Sequence, residues 1–176
     1  MSTDIQSSLP MVGTLSIYMK PEGQDESFCI FQDELNKITN KARAHLLHLT
    51  TDSPAVYAPN PITNYRVGSG GVAVTATGAE TGLYSEITPS GNYANTNISH
   101  SYSSLDRMAT YTFELSTSEC NGMSISEVGL FADNNWLNNP TNGKMFNIKT
   151  FPEVQKSSSF SLSFVWRINF SGVYTT

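Results

Sequence analysis

The stretch FSLSFVWRINF, from Phe160 to Phe170, decides the fold class. Its large apolar side chains fall on the even positions: Phe160, Leu162, Phe164, Trp166, Ile168 and Phe170. The odd positions are polar, namely Ser161, Ser163, Arg167 and Asn169, with Val165 as the exception. Alternation with period two is typical of a β-strand with one buried face. A shift by one residue would expose the whole apolar set, so we expect this strand to lie in the core with a fixed register.

Shorter alternating segments precede this strand and predict further strands. They run from Gly13 to Met19, Ile62 to Val67, Asn97 to Tyr102, Ala109 to Leu115, Met123 to Phe131 and Lys144 to Phe151, where Pro152 ends the last one. Asn121-Gly122 predicts a hairpin that pairs the Ala109 strand with the Met123 strand, because Asn-Gly adopts the positive φ angles of tight hairpin turns.

The apolar positions of the Met123 strand change parity, and this predicts a β-bulge. Met123 and Ile125 are odd, whereas Val128 and Leu130 are even. An extra residue near Glu127 to Gly129 would account for the change.

One segment, about residues 27–49, has the spacing of an amphipathic helix. Its apolar positions recur at intervals of three, four and seven: Ile30, Phe31, Leu35, Ile38, Ala42, Leu46 and Leu49. Acidic residues lie early and basic ones late, as the helix dipole favours. The predicted fold is therefore mostly β, an antiparallel β-sandwich with one long α-helix in the N-terminal half packed on it. Residues 1–12 are expected to form a flexible arm and residues 13–176 a single domain.

Composition excludes several classes of function. The 176 residues carry a net charge of -5 and form no basic stripe, so we expect no nucleic-acid partner. No apolar run reaches the length of a membrane span, and the first residues lack the pattern of a signal peptide, which predicts a protein kept in the cytoplasm where it is made. Cys29 and Cys120 are then expected to be unpaired thiols.

Only 14% of the residues are charged, which suits both short strands with many turns and surfaces covered by neighbouring subunits.

Motifs for catalysis are weak throughout the chain. His45 and His48 lie three residues apart and could bind one metal ion, with His100 as a third ligand. No carboxylate or cysteine pattern accompanies them. Gly68-Ser69-Gly70-Gly71 lacks the Lys and the helix of a phosphate-binding loop and is interpreted as a turn. A carboxylate pair for glycoside hydrolysis stays open, and its candidates would be Glu86, Glu114 and Glu127. We expect no catalytic residue, no cofactor and no metal, hence no enzyme.

Glu127 is the polar residue that the sequence singles out, because it lies within the apolar run ISEVGLF. Pointing inward, it would need a cation or backbone donors, since an unpaired buried carboxylate is costly. The candidate cations are Lys149, Arg107 and Arg167. The alternative is an exposed Glu beside the bulge.

Four apolar residues are candidates for an interface with other chains. Trp136 and Leu137 lie in the Asn-rich stretch from Asp133 to Gly143, and Leu9 and Met11 lie in the predicted arm. Exposed aromatic residues also suit a receptor- or carbohydrate-binding module, which is the alternative function.

The order of these segments resembles the small virion proteins of tailed bacteriophages found in tails, baseplates, necks and fibre-attachment collars. The resembling parts are LNKITNKARAHLL, RVGSGGVAVTATGAETGLYSEI with Leu83 and Glu86, ISEVGLFAD, and KMFNIKTFPEVQKSSSFSLSFVWRINF, between about residues 35 and 170. Where such proteins often have an Arg after the Glu, Thr88-Pro89 stands here. The resemblance implies a non-enzymatic β-sandwich subunit that oligomerises around the tail axis within the virion. Its implied partners are copies of itself and other virion proteins, tail fibres among them.

Overall fold

Two antiparallel sheets pack face to face in the computed structural model, which describes residues 11–43, 62–71, 74–89, 91–132 and 144–170. Within these ranges the strands are β1 (Val12–Pro21), β2 (Phe28–Leu35), β3 (Lys37–Ile38), β4 (Ile62–Gly68), β5 (Ile98–Ser103), β6 (Met108–Leu115), β7 (Ser124–Ala132), β8 (Lys144–Gln155) and β9 (Phe160–Asn169). The larger sheet has the order β2-β1-β9-β6-β5 and the smaller one the order β3-β8-β7-β4. The prediction of a mostly β, antiparallel fold is confirmed.

The terminal strand β9 lies in the middle of the larger sheet, between β1 and β6. Leu162, Phe164, Trp166 and Ile168 are all buried, as the alternation predicts. Phe160 is only partly buried. Phe170 is 38% exposed, because it follows the last residue of β9, and the prediction was wrong for it.

Stacked aromatic rings join the two sheets through the core. Tyr65 of β4 stacks on Phe113 of β6 with ring centroids 3.9 Å apart, and Phe113 stacks on Phe164 of β9 at 4.9 Å. The Tyr65 hydroxyl donates to the Glu114 carbonyl at 3.2 Å, so its polar end is satisfied. Burial raises the pKa of the Tyr65 hydroxyl above its ordinary value. Both sheets therefore share one core.

The long helix predicted for residues 27–49 is wrong. Residues 28–35 form β2, and only residues 40–43 are helical within the described part of that segment. Residues 44–49 lie outside the described residues. The reason is that β2 is irregular: its pairing with β1 shifts register twice, so Ile30 and Phe31 both pack on the core although they are neighbours in sequence. Two shifts in a short strand produce an apolar spacing that imitates a helix.

The hairpin predicted at Asn121-Gly122 is also wrong. β6 belongs to the larger sheet and β7 to the smaller, so residues 116–123 cross from one sheet to the other. The Glu119 carboxylate accepts the N–H groups of Ser116 at 2.8 Å and Ala94 at 2.7 Å. Burial alone would raise the pKa of Glu119, but these hydrogen bonds outweigh it and lower that pKa. The hydrogen bonds of the Glu119 carboxylate thus stabilise the connection between β6 and β7.

Pro152 does not end its strand, contrary to the prediction. β8 continues to Gln155, and the pairing of β7 with β8 shifts register between Ile125 and Glu127, opposite this proline. Proline is tolerated within a sheet at such an irregularity, where no ladder hydrogen bond needs its missing N–H.

Several predicted features fall at or beyond the limits of the described residues. Val12 opens β1 and pairs with Asn169, while Met11 packs against the core. Residues 1–10, with Leu9, and residues 133–143, with Trp136 and Leu137, lie outside the described residues. Cys29 is exposed and Cys120 is buried, and both are free thiols. Among the described residues, no helix is both long and apolar enough to cross a bilayer.

The central position of Trp166 gives a test of the buried face of β9. Trp166→Ala should lower the free energy of unfolding by about 3–5 kcal/mol, because it leaves a large cavity in a packed core. Val165→Ala, on the opposite and half-buried face, is the matched control and should cost about 1 kcal/mol or less. Denaturant unfolding measures both. A loss below about 1 kcal/mol for Trp166→Ala would mean that another face is buried.

Candidate functional site

Glu127 is fully buried, and its carboxylate is held by backbone N–H groups. Its Oε1 accepts from Gly70 at 3.0 Å and from Ser85 at 2.7 Å, and its Oε2 accepts from Tyr84 at 2.8 Å. Charge-assisted bonds of this kind are among the strongest in proteins, and they compensate for taking the carboxylate out of water. The sequence left two kinds of partner open for a buried Glu127, a cation or backbone donors. The structure has backbone donors at this carboxylate.

The donors come from the two ends of one stretch of the chain, and we call its described residues, 69–71 and 74–87, the cover segment. It leaves β4 at Gly68, crosses the outer side of the smaller sheet and returns to the edge of β4. There the Ser69 N–H donates to the Ser85 carbonyl at 2.9 Å, and the Ile87 N–H donates to the Val67 carbonyl at 2.9 Å. Glu127 thus ties both ends of the segment to β7.

The glycines of the cover segment are required by close approach. A Cβ on Gly70 would lie 2.6 Å from the Tyr84 Cβ and 2.9 Å from the Glu127 Oε1. A Cβ on Gly71 would collide with the Ser126 carbonyl oxygen. The stretch Gly68-Ser69-Gly70-Gly71 is therefore more than a turn: it lets the backbone come within hydrogen-bonding distance of a buried carboxylate.

An irregularity near the position of the predicted β-bulge places two polar residues of β7 against the cover segment. The register shift lies between Ile125 and Glu127, slightly before the predicted position, and its extra residues are on β8 instead of β7, because Ile125 pairs with Val154 and Glu127 with Thr150. Ile125 belongs to the main core, as Val128 does, so the parity changes between them. Ser126 accepts the Gly71 N–H on its Oγ at 3.0 Å, next to the bonds that Glu127 accepts. The irregularity aims both side chains outward at the same segment.

A second hydrophobic cluster lies under the cover segment, on the outer side of β7 and β8. It consists of Ala76, Phe131, Met145 and Ile148, with Leu83 packed against them. A Cβ on Gly129 would lie 3.0 Å from both the Asn147 carbonyl oxygen and the Phe131 ring and 3.3 Å from the Leu83 side chain, so this position is crowded by all three. Burial on both faces explains why the ISEVGLF run is apolar without a simple alternation.

Arg66 connects the same region to Glu86. Its guanidinium lies 4.4 Å from the centroid of the Phe131 ring and forms an ion pair with the Glu86 carboxylate at 3.0 Å. Both charged side chains are partly exposed, so the pair is a modest contributor to stability. Both residues lie in the segment RVGSGGVAVTATGAETGLYSEI, but their pairing could not be predicted because they are twenty residues apart.

Glu80 forms hydrogen bonds within the middle of the cover segment. Its carboxylate accepts the Thr77 and Gly78 N–H groups at 2.7 Å each and the Tyr84 hydroxyl at 2.7 Å. Burial by itself would raise the pKa of Glu80, but these hydrogen bonds lower it to about 2. Burial and the bond to Glu80 raise the pKa of Tyr84 to about 12. The segment is internally braced as well as anchored to β7.

The three cations considered for Glu127 have other contacts. Lys149 Nζ lies 3.1 Å from the Glu34 carboxylate and donates to the Leu35 carbonyl at 2.9 Å. Arg167 forms an ion pair with Asp33 at 2.9 Å. Arg107 is exposed, and its carbonyl accepts the Phe170 N–H at 2.9 Å. Lys149 and Arg167 thereby connect β2 to both sheets.

The remaining candidates for chemistry do not converge within the described residues. Glu127 is sealed in the cover segment, Glu86 is paired with Arg66, and Glu114 is exposed on β6. His100 is exposed on β5, and His45 and His48 lie outside the described residues. No three His, Cys, Asp or Glu side chains in the described ranges could hold a metal ion together.

The cleft beside the cover segment is open and uncharged. It measures about 480 Å³ and is lined by Ser69, Ile87, Thr88, Asn92, Met123 and Ser124. None of these side chains carries a charge or exchanges a proton near neutral pH. The polar contacts of Glu127 within the described residues are to the protein's own backbone.

Comparison with known proteins gives no relative: no family model, no curated protein and no solved structure matches this chain.

The bonds to Glu127 lead to a stability prediction with an internal control. Glu127→Gln keeps the shape but turns an amide N–H toward a backbone N–H, so we expect a loss of at least about 2 kcal/mol in the free energy of unfolding. Glu86→Gln makes the same chemical change at the partly exposed ion pair and should cost about 1 kcal/mol or less. Denaturant unfolding of both variants checks the difference. Equal losses would contradict the anchoring role of Glu127.

Proposed function

We propose that this protein is a structural subunit of a tailed-bacteriophage virion, located in the tail, baseplate or neck and collar. In this proposal it assembles with copies of itself around the tail axis and anchors neighbouring virion proteins or fibres. It performs no catalysis and needs no cofactor. Its place of action is the virion, assembled in the cytoplasm of the host.

One observation carries the proposal: the segments on which the resemblance to virion proteins rests are in contact with one another. The glycines of RVGSGG approach the Glu of ISEVGLF, and the Leu83 side chain lies over Gly129 of the same stretch. Two of the resembling segments that meet in one structural unit support the proposal better than two segments that lie apart would. The β-sandwich is the fold that the resemblance implies.

The character of the Glu127 site supports a structural role over an enzymatic one. A catalytic carboxylate must reach a substrate, whereas all the polar contacts described for Glu127 are to backbone N–H groups within the chain. The low content of charged residues supports assembly, since the cores of interfaces between subunits are depleted in charge.

The N-terminal arm and the Asp133 to Gly143 stretch are the proposed contacts with neighbouring proteins. Because Met11 packs against the core and Val12 belongs to β1, a truncation that tests the arm should stop before Met11. The chain lacking residues 1–10 keeps every described strand.

Deletion and complementation of the gene in the phage test this proposal. Particles made without the protein should lack a layer of the tail or neck in electron micrographs and should form no plaques. Wild-type protein supplied in trans should restore both, and mass spectrometry of purified particles should detect it. The chain lacking residues 1–10 should fold but restore assembly poorly.

Two outcomes would contradict the proposal. Complete, infectious particles without the protein would exclude a structural role. The rival function, a receptor- or carbohydrate-binding module, would be favoured if particles assemble normally but fail to adsorb, and if Trp136→Ala removes binding to a glycan array.

A further inference from the structure

The two edge strands of the larger sheet differ in how they are protected against pairing with another chain. The β2 edge is irregular, with two register shifts against β1 and a φ of 46° at Asp33. It also carries acidic side chains at Asp33 and Glu34. Bulges and charges are the devices by which proteins prevent an edge strand from accepting a further strand.

The β5 edge has none of these devices. Ile98 to Ser103 pair with β6 in an unbroken register, and the strand contains no Asp, Glu, Lys, Arg or Pro. Within the described part of the chain, β5 pairs with β6 alone, and residues 99–102 are exposed. Alternate N–H and C=O groups of such a strand point away from the sheet and can accept a partner strand.

Two large apolar side chains extend this edge at the β5–β6 turn. Tyr102 is 83% exposed and Leu105 is 90% exposed, the highest values among the exposed large hydrophobic residues of the described chain. Apolar side chains beside an unprotected edge are typical of a contact surface, because covering them removes apolar area from water.

The charge distribution indicates which partner fits this edge. The chain has a net charge of -5, so most surfaces of two copies repel each other. The neutral, regular β5 edge is compatible with an identical edge, whereas the register shifts of β2 leave no regular ladder of N–H and C=O groups for a second strand. Antiparallel pairing of identical strands also satisfies two-fold symmetry, the commonest symmetry of homo-oligomers.

We propose that β5 pairs antiparallel with β5 of a second copy about a two-fold axis, so that the two larger sheets form one continuous sheet. The inference rests on the proposed function only for the expectation that the chain assembles with itself, and it adds a two-fold contact to the head-to-tail contacts that a ring around the tail axis needs. The choice of surface rests on the strands alone. The turn with Tyr102 and Leu105 then packs against the neighbouring copy.

A charge-swap experiment on the full chain tests this pairing. Ser101 is central in β5 and exposed, so Ser101→Lys and Ser101→Glu each place two like charges together across the two-fold axis. Sedimentation velocity should show a dimer for the wild type and at least a tenfold weaker dimer for each variant alone. A one-to-one mixture of the two variants should restore the dimer, because opposite charges then meet.

The matched controls are Gln32→Lys and Gln32→Glu on the exposed β2 edge, which should leave the dimer unchanged. Circular dichroism and thermal melting verify that each variant is folded. If either Ser101 variant unfolds, Ser99→Lys and Ser99→Glu repeat the test at the other exposed serine of β5.

Three results would overturn the inference. One is a wild-type chain that is monomeric at its highest soluble concentration. Another is a mixture of the Ser101 variants that stays monomeric. The third is a loss of the dimer in the Gln32 variants, which would indicate head-to-tail pairing of β5 with β2. A monomer in solution would leave the virion proposal standing, since that proposal is tested by particle composition. Absence from particles would leave the dimer measurement unaffected.

Discussion

A buried carboxylate that is held by backbone N–H groups is the constraint on which the outer layer of this protein depends. Taken out of water alone, the Glu127 carboxylate would cost several kcal/mol, so the fold must bring donors to it. The N–H groups of Gly70, Tyr84 and Ser85 are those donors, and they belong to both ends of one segment. The carboxylate therefore closes a long connection onto the smaller sheet.

Several features follow from this closure. Gly70 and Gly71 allow the backbone to approach the carboxylate, and Gly129 leaves space for the Asn147 carbonyl, the Phe131 ring and Leu83. β7 becomes buried on both faces, with the main core on one side and the cover segment on the other. The larger sheet has no comparable cover described on its outer side, where the polar positions of β9 lie. The smaller sheet thus has an outer face that is covered by its own chain, whereas the described outer face of the larger sheet can contact other chains.

The sequence predicted the features that depend on strict periodicity and missed those that depend on its interruption. β9 alternates with Val165 as its one exception, and the four central side chains of its apolar face are buried as predicted. β2 has two register shifts that bring Ile30 and Phe31 to the same core, and a helix was predicted in its place. The change of parity between Ile125 and Val128 predicted an irregularity close to the right place, but the extra residues are on β8, where the sequence shows no comparable change.

Glu127 itself could be singled out from its apolar neighbours, but its donors could not. Every residue except proline has a backbone N–H group, so a sequence does not show which of them bind a carboxylate. Those that bind Glu127 lie more than forty residues before it. The glycines were the available signal, since a run of them beside a strand indicates close approach of the backbone. Arg66 gave no signal, because its contacts with Phe131 and Glu86 arise only when three separate elements meet.

Native-state hydrogen exchange at single-residue resolution tests the central claim most directly. If one carboxylate holds the cover segment, the N–H groups of Gly70, Tyr84 and Ser85 should be protected and should exchange with one common opening free energy. The account would be contradicted if these amides exchanged as fast as exposed loop amides, or with unrelated opening free energies, because Glu127 would then not be what closes the segment.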